Sequence, residues 1–206
     1  MPTTIEYASQ AISAEQELAT HLPVPPEPFG TYSEAVQAGS LLFLSGPLPT
    51  EGRTAKFVGP VGAELDVAAG REAARLAAMN AVAIARQYLG SLDRVKRIVR
   101  LGVSVATEGN VSDLPKVADG ASDFLQDVFG TDKNPTRLVY GAASLPLGAP
   151  VEVELIFECR DEQDRSDSSG YTCHYIVGRT CRGGAAVKIP DLLSNHCDRW
   201  PIDFLS

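Results

Sequence analysis

The sequence predicts an α+β fold in which two helices pack on one face of a single β-sheet. Two segments repeat apolar residues at helical spacing, and several short segments alternate apolar and polar residues as strands do. Their order along the chain is strand, strand, helix, strand, helix, strand, strand. A sheet with both helices on one face buries these stripes economically. The other face then needs a cover, and the apolar run 41–44 predicts that another subunit supplies it.

An extended arm and a hairpin open the chain. Residues 1–28 form the predicted arm, because four prolines between positions 23 and 28 exclude a helix interior or a central strand. The hairpin pairs a strand within 30–36 with an apolar strand at 41–46, around a turn at 37–40. Ser45 and Gly46 end the second strand, where a backbone or a ligand can approach closely. Residues 50–63 are predicted to be a loop.

Two helices flank one long strand in the middle of the chain. The first is predicted from the cap Asp66 to Leu89, before Gly90, with a buried stripe of Ala73, Leu76, Ala77, Ala81, Ile84 and Tyr88. The strand 95–106 is expected to place Val99, Leu101, Val103 and Val105 on one face. The second helix starts at Ser112 or Asp113 and ends at Gly130, with a buried stripe of Val117, Ala121, Phe124, Leu125 and Val128.

The last two strands carry the first candidate site. Apolar residues at 151, 153, 155 and 157 alternate with mostly acidic ones, Arg137 opens the preceding strand, and Glu152 falls early in the final one. If the two strands lie close, a guanidinium and a carboxylate face one cleft. An arginine fork suits a ligand carboxylate, and a glutamate suits proton transfer. The alternative is that both are solvated surface charges.

Composition and charge exclude several classes of protein. The 206 residues are 44% hydrophobic and 21% charged, as in a soluble globular protein, and the net charge is −8. An acidic chain argues against a nucleic-acid or anionic-membrane partner, and the basic cluster 94–100 is expected to be a solvated strand face. No apolar run reaches the roughly 20 residues of a membrane helix. The N-terminus has no secretory pattern, so we expect a cytoplasmic location.

The last segment differs from the body. Residues 159–206 hold all four cysteines, Cys159, Cys173, Cys181 and Cys197. A polar stretch with the composition of a linker begins at residue 160, directly after Cys159. Disulfides are one interpretation of the even count. Metal binding is weakly supported because no CxxC pair occurs, even with His174 and His196 nearby. We expect an extension of unknown structure, and no metal or cofactor.

From about Pro25 to Glu158 the chain resembles the YjgF/RidA family of enamine/imine deaminases, also called the endoribonuclease L-PSP family. The stretches that carry the resemblance occur in family order: 30–36, 42–49, 61–65, 89–95, 119–123, and the signature Arg137, Leu145-Pro146, Val151-Glu152-Val153-Glu154. The long arm and the 119–123 motif resemble a side branch rather than the central RidA type. The RidA-like domain is therefore predicted at 29–158.

The resemblance implies a chorismate-mutase-like fold with a mixed sheet, in a homotrimer whose sheets form a central barrel with sites between subunits. It implies that Arg137 holds the substrate carboxylate, that Glu152 positions water, and that Tyr32 and Ser45 complete the catalytic set. Val139 stands where central members carry a cysteine, and Asp119 lies where they have an asparagine. With Pro47 replacing the usual glutamine, these departures bear on the choice of substrate. We expect Val139 and Asp119 to contact the substrate with Arg137 and Tyr32.

The implied reaction is hydrolysis of 2-aminoacrylate-like enamines, through their imines, to 2-keto acids and ammonia, without a cofactor. One alternative is a regulatory protein that binds a keto or amino acid in the same cleft. A second is a ribonuclease, which the acidic charge and the lack of a histidine acid/base pair disfavour.

Overall fold

A five-stranded sheet with two helices on one face forms the part of the chain that the structure, a computed structural model, describes: residues 22–109 and 111–160. The helices are α1 (Val67–Leu89) and α2 (Leu114–Phe129). The strands are β1 (Ala35–Ala38), β2 (Leu41–Leu44), β3 (Thr50–Glu51), β4 (Thr54–Ala55), β5 (Val95–Ala106), β6 (Thr136–Ala142) and β7 (Val151–Cys159). The sheet order is β1-β2-β7-β5-β6, with β5 and β6 parallel and the other neighbours antiparallel. The predicted α+β class with a mixed sheet is confirmed.

The predicted helix ends follow from local chemistry. The Asp66 carboxylate accepts a hydrogen bond from the Ala69 N–H at 2.7 Å and caps α1. Gly90 ends α1 in the left-handed conformation, with a φ of 79°. Between these caps the small side chains of Ala73, Ala77 and Ala81 are fully buried against the sheet.

Two residues predicted to be buried lie at the surface. Val99 is 36% exposed because the pairing of β5 with β7 shifts register on either side of Ile98, which is buried in its place. A bulge of this kind reverses the alternation of faces. Tyr88 is 48% exposed, and the neighbouring Leu89 is the buried residue of that turn.

The predicted loop at 50–63 contains a short hairpin, β3–β4, and the prediction of a loop is wrong at the four residues of these strands. Strands of two residues are too short to give a periodic signal. The buried Asn80 of α1 holds the start of this hairpin, because its Nδ2 donates to the carbonyl oxygens of Leu48 at 2.8 Å and Thr50 at 2.9 Å. The first predicted strand also starts later than expected, at Ala35.

The sheet face opposite the helices, here called the open sheet face, carries exposed apolar side chains. Val36 is 53% exposed, Phe43 39%, Leu138 50% and Tyr140 44%. The basic cluster lies on the strand surface as predicted, with Lys96 and Arg97 paired to Glu158 at 2.7 Å and 2.9 Å. The predicted uncovered face is thus present, and it is more apolar than a solvated face requires.

The body extends one residue beyond its predicted end, since Cys159 is the last residue of β7 and its side chain is buried. Burial raises the pKa of its thiol. The expectations for the first 21 residues of the arm and for Cys173, Cys181 and Cys197 fall outside the described residues. No helix within 22–109 or 111–160 is long and apolar enough to cross a membrane.

Candidate functional site

A cavity of about 380 Å³ opens where β2 ends and β7 begins. Its walls come from the loop before β1, the end of β2, the turn before β7 and β7 itself: Phe29, Gly30, Tyr32, Ser45, Gly46, Leu48, Pro146, Leu147 and Glu152. Three of the four predicted catalytic residues, Tyr32, Ser45 and Glu152, therefore meet in one cavity. Arg137 does not line it.

Glu152 is the acidic residue among those that line this cavity. Its neighbours Val151 and Val153 are fully buried toward the helices, so strand alternation turns Glu152 to the opposite face. Burial raises the pKa of its carboxyl above the ordinary value of 4.5, because desolvation disfavours the charged form. Gly46 gives it room, since a Cβ there would lie 1.9 Å from the Glu152 Oε1. The carboxyl group thus packs against bare backbone.

The loop that carries Tyr32 is held by several contacts. The Phe29 N–H donates to the Tyr32 hydroxyl at 3.2 Å, which leaves that hydroxyl free to donate its own proton. The Arg53 guanidinium lies 5.1 Å from the centre of the Phe29 ring and donates to the Pro28 carbonyl at 3.2 Å. The Ser45 N–H donates to the Glu34 carbonyl at 2.9 Å, which joins the end of β2 to the same loop.

Arg137 lies in a second cluster, on the helix side of the sheet edge. Its Nη1 donates to the Asp119 Oδ1 at 2.7 Å and to the Ser122 Oγ at 3.0 Å. Both partners belong to α2, which approaches α1 closely at Gly120, where a Cβ would lie 2.0 Å from the Arg71 carbonyl oxygen. Val139 lies two residues further along β6, on the same face as Arg137. The predicted ligand-binding residues Arg137, Val139 and Asp119 therefore share one cluster.

The expectation that Arg137 and Glu152 face one cleft is wrong within a single chain. Strand β5 lies between β6 and β7, and Arg137 is level with Leu101 and Leu155, whereas Glu152 is level with Ser104. Two strand spacings and a three-residue offset put the two Cα atoms about 14 Å apart. The odd offset also places their side chains on opposite faces of the sheet.

The two clusters have complementary chemistry. The cavity offers a carboxyl group with a raised pKa and two hydroxyls between apolar walls, and none of its lining residues is a cation. The second cluster offers a guanidinium whose Nη1 is held by Asp119 and Ser122. The first suits proton transfer to a small molecule, and the second suits the capture of a carboxylate.

Several residues that shape the site were not predicted. Asn80 positions Leu48, one of the residues that line the cavity. The sequence signal that could have identified Asn80 is its amide side chain among the apolar residues of α1. Ser122 lies in the 119–123 motif without an expected role. Leu147 adopts a φ of 58°, which the sequence Pro-Leu-Gly did not indicate because such turns usually place glycine there.

Comparisons with known proteins identify relatives of this chain. A family model described as "YjgF/chorismate_mutase-like, putative endoribonuclease" matches residues 12–159. Protein TCP17 of Trypanosoma cruzi is 39% identical over 153 residues, which cover 73% of this chain and 96% of that protein. A 2-iminobutanoate/2-iminopropanoate deaminase of Dermatophagoides farinae is 32% identical over 135 residues, or 65% of this chain and 90% of the relative.

A solved structure shows the same fold. Protein Atu1372 of Agrobacterium tumefaciens, described as of unknown function, superposes with a TM-score of 0.67 and is 31% identical. The match covers 76% of this chain and 98% of that structure.

Proposed function

Because the chain belongs to the YjgF/RidA family, we propose that it is a cofactor-independent deaminase of reactive enamines and imines derived from 2-amino acids. The observation that carries the proposal is the half-buried Glu152 carboxyl, which shares an otherwise uncharged cavity with the hydroxyls of Tyr32 and Ser45. The relative from Dermatophagoides farinae is named as an imine deaminase, which supports the same reaction class.

The reaction needs only proton transfers and water. A 2-aminoacrylate-type enamine takes a proton at its terminal carbon and becomes the imine. Water adds to the imine carbon and gives a carbinolamine, whose C–N bond breaks to release ammonia and leave a 2-keto acid. No electrons are gained or lost overall, so positioned acids and bases are sufficient.

Glu152 is assigned the central proton transfers. Burial raises the pKa of this carboxyl and makes its carboxylate a stronger base than that of an exposed glutamate, so it can accept a proton from the attacking water and return it to the leaving nitrogen. The Tyr32 hydroxyl, already accepting from the Phe29 N–H, donates to the carbinolamine oxygen or nitrogen. Ser45 also lines the cavity and is assigned a hydrogen bond to the same groups.

Arg137 is assigned the substrate carboxylate, and Asp119 holds it in place. The salt bridge and the Ser122 hydrogen bond both engage Nη1, so the ligand meets the remaining N–H groups of the fork. In this proposal Asp119 acts mainly on the Arg137 guanidinium. The sequence instead predicts that Asp119 contacts the substrate. Val139, in the place of the family's cysteine, contributes its backbone and a small apolar surface.

We propose that a second copy of the chain brings the two clusters together, in a homotrimer that buries the open sheet faces and places the edge strand β6 of one copy, with Arg137, beside the cavity of the next. In one chain Arg137 and Glu152 lie on opposite sheet faces. The carboxylate and the imine carbon of a substrate are adjacent atoms, so Arg137 and Glu152 must lie within a few ångströms of the same small molecule. The exposed Val36, Phe43 and Tyr140 supply an apolar surface of the kind that subunits cover. A small imino acid is the expected partner, and the net charge of −8 disfavours RNA.

The test is the release of ammonia and keto acid from freshly generated 2-aminoacrylate, by wild type, Arg137→Ala and a matched control. Arg71→Ala is that control, because Arg71 also pairs with an aspartate of α2, Asp123, but it neither bonds the partners of Arg137 nor lines the cavity. Each protein is also measured by light scattering to establish its oligomeric state.

We expect turnover by wild type and Arg71→Ala, and none by Arg137→Ala in an intact oligomer. An Arg137→Ala protein that is as active as wild type contradicts the assignment of the anchor. A wild type that releases no ammonia but is stabilised against heat by keto or amino acids supports the binding alternative instead. That alternative already has one favourable observation, the Asp119 carboxylate that occupies part of the anchor.

A further inference from the structure

We infer that the cavity selects imino acids with an apolar side chain of about leucine or methionine size, and that Leu147 sets this preference. The inference rests on the proposed function and names the substrate class within it. It places 2-aminoacrylate, whose side chain is a single carbon, among the poorer substrates.

The lining residues divide into a polar and an apolar side. Tyr32, Ser45 and Glu152 supply the polar groups, whereas Phe29, Leu48, Pro146 and Leu147 supply an apolar wall. The cavity measures about 380 Å³. Six heavy atoms, as in 2-aminoacrylate, occupy about 180 Å³ if each takes the volume of a liquid water molecule. About half of the space beside the apolar wall is left for a side chain.

Leu147 has an unusual backbone for a leucine. It lies in the left-handed region with φ 58° and ψ 15°, where non-glycine residues are uncommon. Two hydrogen bonds hold the following residue, from the Gly148 N–H to the Leu145 carbonyl at 3.2 Å and from the Gly59 N–H to the Gly148 carbonyl at 2.9 Å. The turn therefore keeps a disfavoured conformation, and such conformations occur preferentially at functional sites.

The Leu147 side chain adds little to the core that would explain the strain. It is 46% exposed and lines the cavity. Asparagine or glycine would adopt the same backbone more readily. A leucine in this position therefore supplies an apolar surface at the cavity, where a substrate side chain would contact it.

The rest of the apolar wall is held from outside the cavity. Leu48 is 7% exposed and its carbonyl is fixed by Asn80 at 2.8 Å. Phe29 lies under the Arg53 guanidinium, 5.1 Å from ring centre to cation. A fixed wall discriminates by side-chain shape better than a mobile one, since binding loses less conformational freedom.

The expected selectivity follows from the number of buried methylene groups. Each methylene removed from water favours binding about fourfold. The side chain of leucine has three more carbons than that of alanine, and a cavity open to solvent buries only part of them. We expect kcat/KM for the leucine-derived imine to exceed that for the alanine-derived imine by about tenfold.

The test compares imines generated in the assay by an amino-acid oxidase from leucine, methionine and alanine, with keto-acid formation as the readout. The variants are Leu147→Asn, which keeps the backbone conformation and removes the apolar surface, and Val58→Asn as the matched control. Val58 is 58% exposed, lies next to the same turn and does not line the cavity. Thermal stability, light scattering and the heat stabilisation produced by 4-methyl-2-oxopentanoate and by pyruvate are measured on each protein.

Selectivity for the leucine and methionine imines that is lost in Leu147→Asn and kept in Val58→Asn supports the inference, provided that Leu147→Asn is at least as stable as wild type. Equal rates on all imines, or a preference for the alanine imine, overturn it while leaving the deaminase assignment intact. A Leu147→Asn protein that dissociates also overturns it, because Leu147 is then a subunit contact. If no imine is hydrolysed, the proposed function fails, and the heat stabilisation then decides the inference. Stronger stabilisation by 4-methyl-2-oxopentanoate than by pyruvate supports an apolar subsite. Equal stabilisation by the two keto acids overturns the inference.

Discussion

Replacing Gly46 by alanine tests whether the position of the Glu152 carboxylate controls catalysis. A Cβ at residue 46 would lie 1.9 Å from Oε1, 2.6 Å from Cδ and 2.8 Å from Cγ of Glu152. Carbon and oxygen atoms in contact sit about 3.4 Å apart or further, so the carboxylate has to retreat by about 1.5 Å. The backbone of residue 46 is outside the left-handed region, so alanine introduces no backbone strain of its own.

The displacement predicts a large loss of activity with little loss of stability. A misplacement of about 1 Å in a reacting group costs on the order of a hundredfold in rate. We therefore expect kcat of Gly46→Ala to fall by about a hundredfold or more. The free energy of unfolding should change by less than about 1 kcal/mol, because residue 46 is exposed and the Glu152 side chain can move toward solvent.

The assay is steady-state deamination by four proteins: wild type, Gly46→Ala, Glu152→Gln and the double variant. If alanine acts through Glu152, it costs nothing further in the Glu152→Gln background, which is the signature of two coupled sites. Gly102→Ala is the matched control, since its Cβ meets the Glu154 carboxylate at 2.9 Å outside the cavity. Equal losses from alanine in both backgrounds, or a Gly46→Ala enzyme with near-normal kcat, would refute the reasoning.

Three further outcomes follow from the structure. The raised pKa of Glu152 means that folding becomes less favourable as pH rises from the ordinary glutamate pKa of 4.5 through the folded-state value. Glu152→Gln should therefore melt higher than wild type at neutral pH and equally at acidic pH; a lower melting temperature at neutral pH contradicts this. Asp119→Asn removes the charge that neutralises Arg137, so the KM for an anionic imine should fall by up to about fivefold, and a rise in KM would show that Asp119 helps to bind substrate. Phe43→Asp places a charge on the open sheet face and should give inactive monomers by light scattering, whereas active trimers would argue against association through this face.

Local features of the fold were predictable from the sequence because they depend on neighbouring residues. The ends of α1 follow from the Asp66 cap and Gly90, and the burial pattern of β7 follows from strict alternation. Val99 was not predictable, since a bulge depends on the partner strand. The order of the strands is likewise a property of the whole sheet, and it separates Arg137 from Glu152.

The composition of the candidate site was predictable to a similar extent. The family stretches identified Tyr32, Ser45, Glu152 and Arg137 by position, and three of them meet in one cavity. The pairing of Arg137 with Asp119 joins residues 18 positions apart on different elements, so no local pattern contains it. The raised pKa of Glu152 results from burial around its side chain and needs three-dimensional structure to be seen.

The most direct test of the central claim, that each site combines Arg137 of one copy with Glu152 of another, is a subunit-mixing experiment. Arg137→Ala and Glu152→Gln chains with different tags are co-expressed, and mixed oligomers are isolated through both tags. Each mixed trimer holds two chains of one variant and one of the other, and one of its three sites then has both residues intact, so about a third of the sites should recover activity. Oligomers that mix either single variant with a chain carrying both substitutions should recover no activity. Mixed trimers of the two single variants that remain inactive would contradict a shared site.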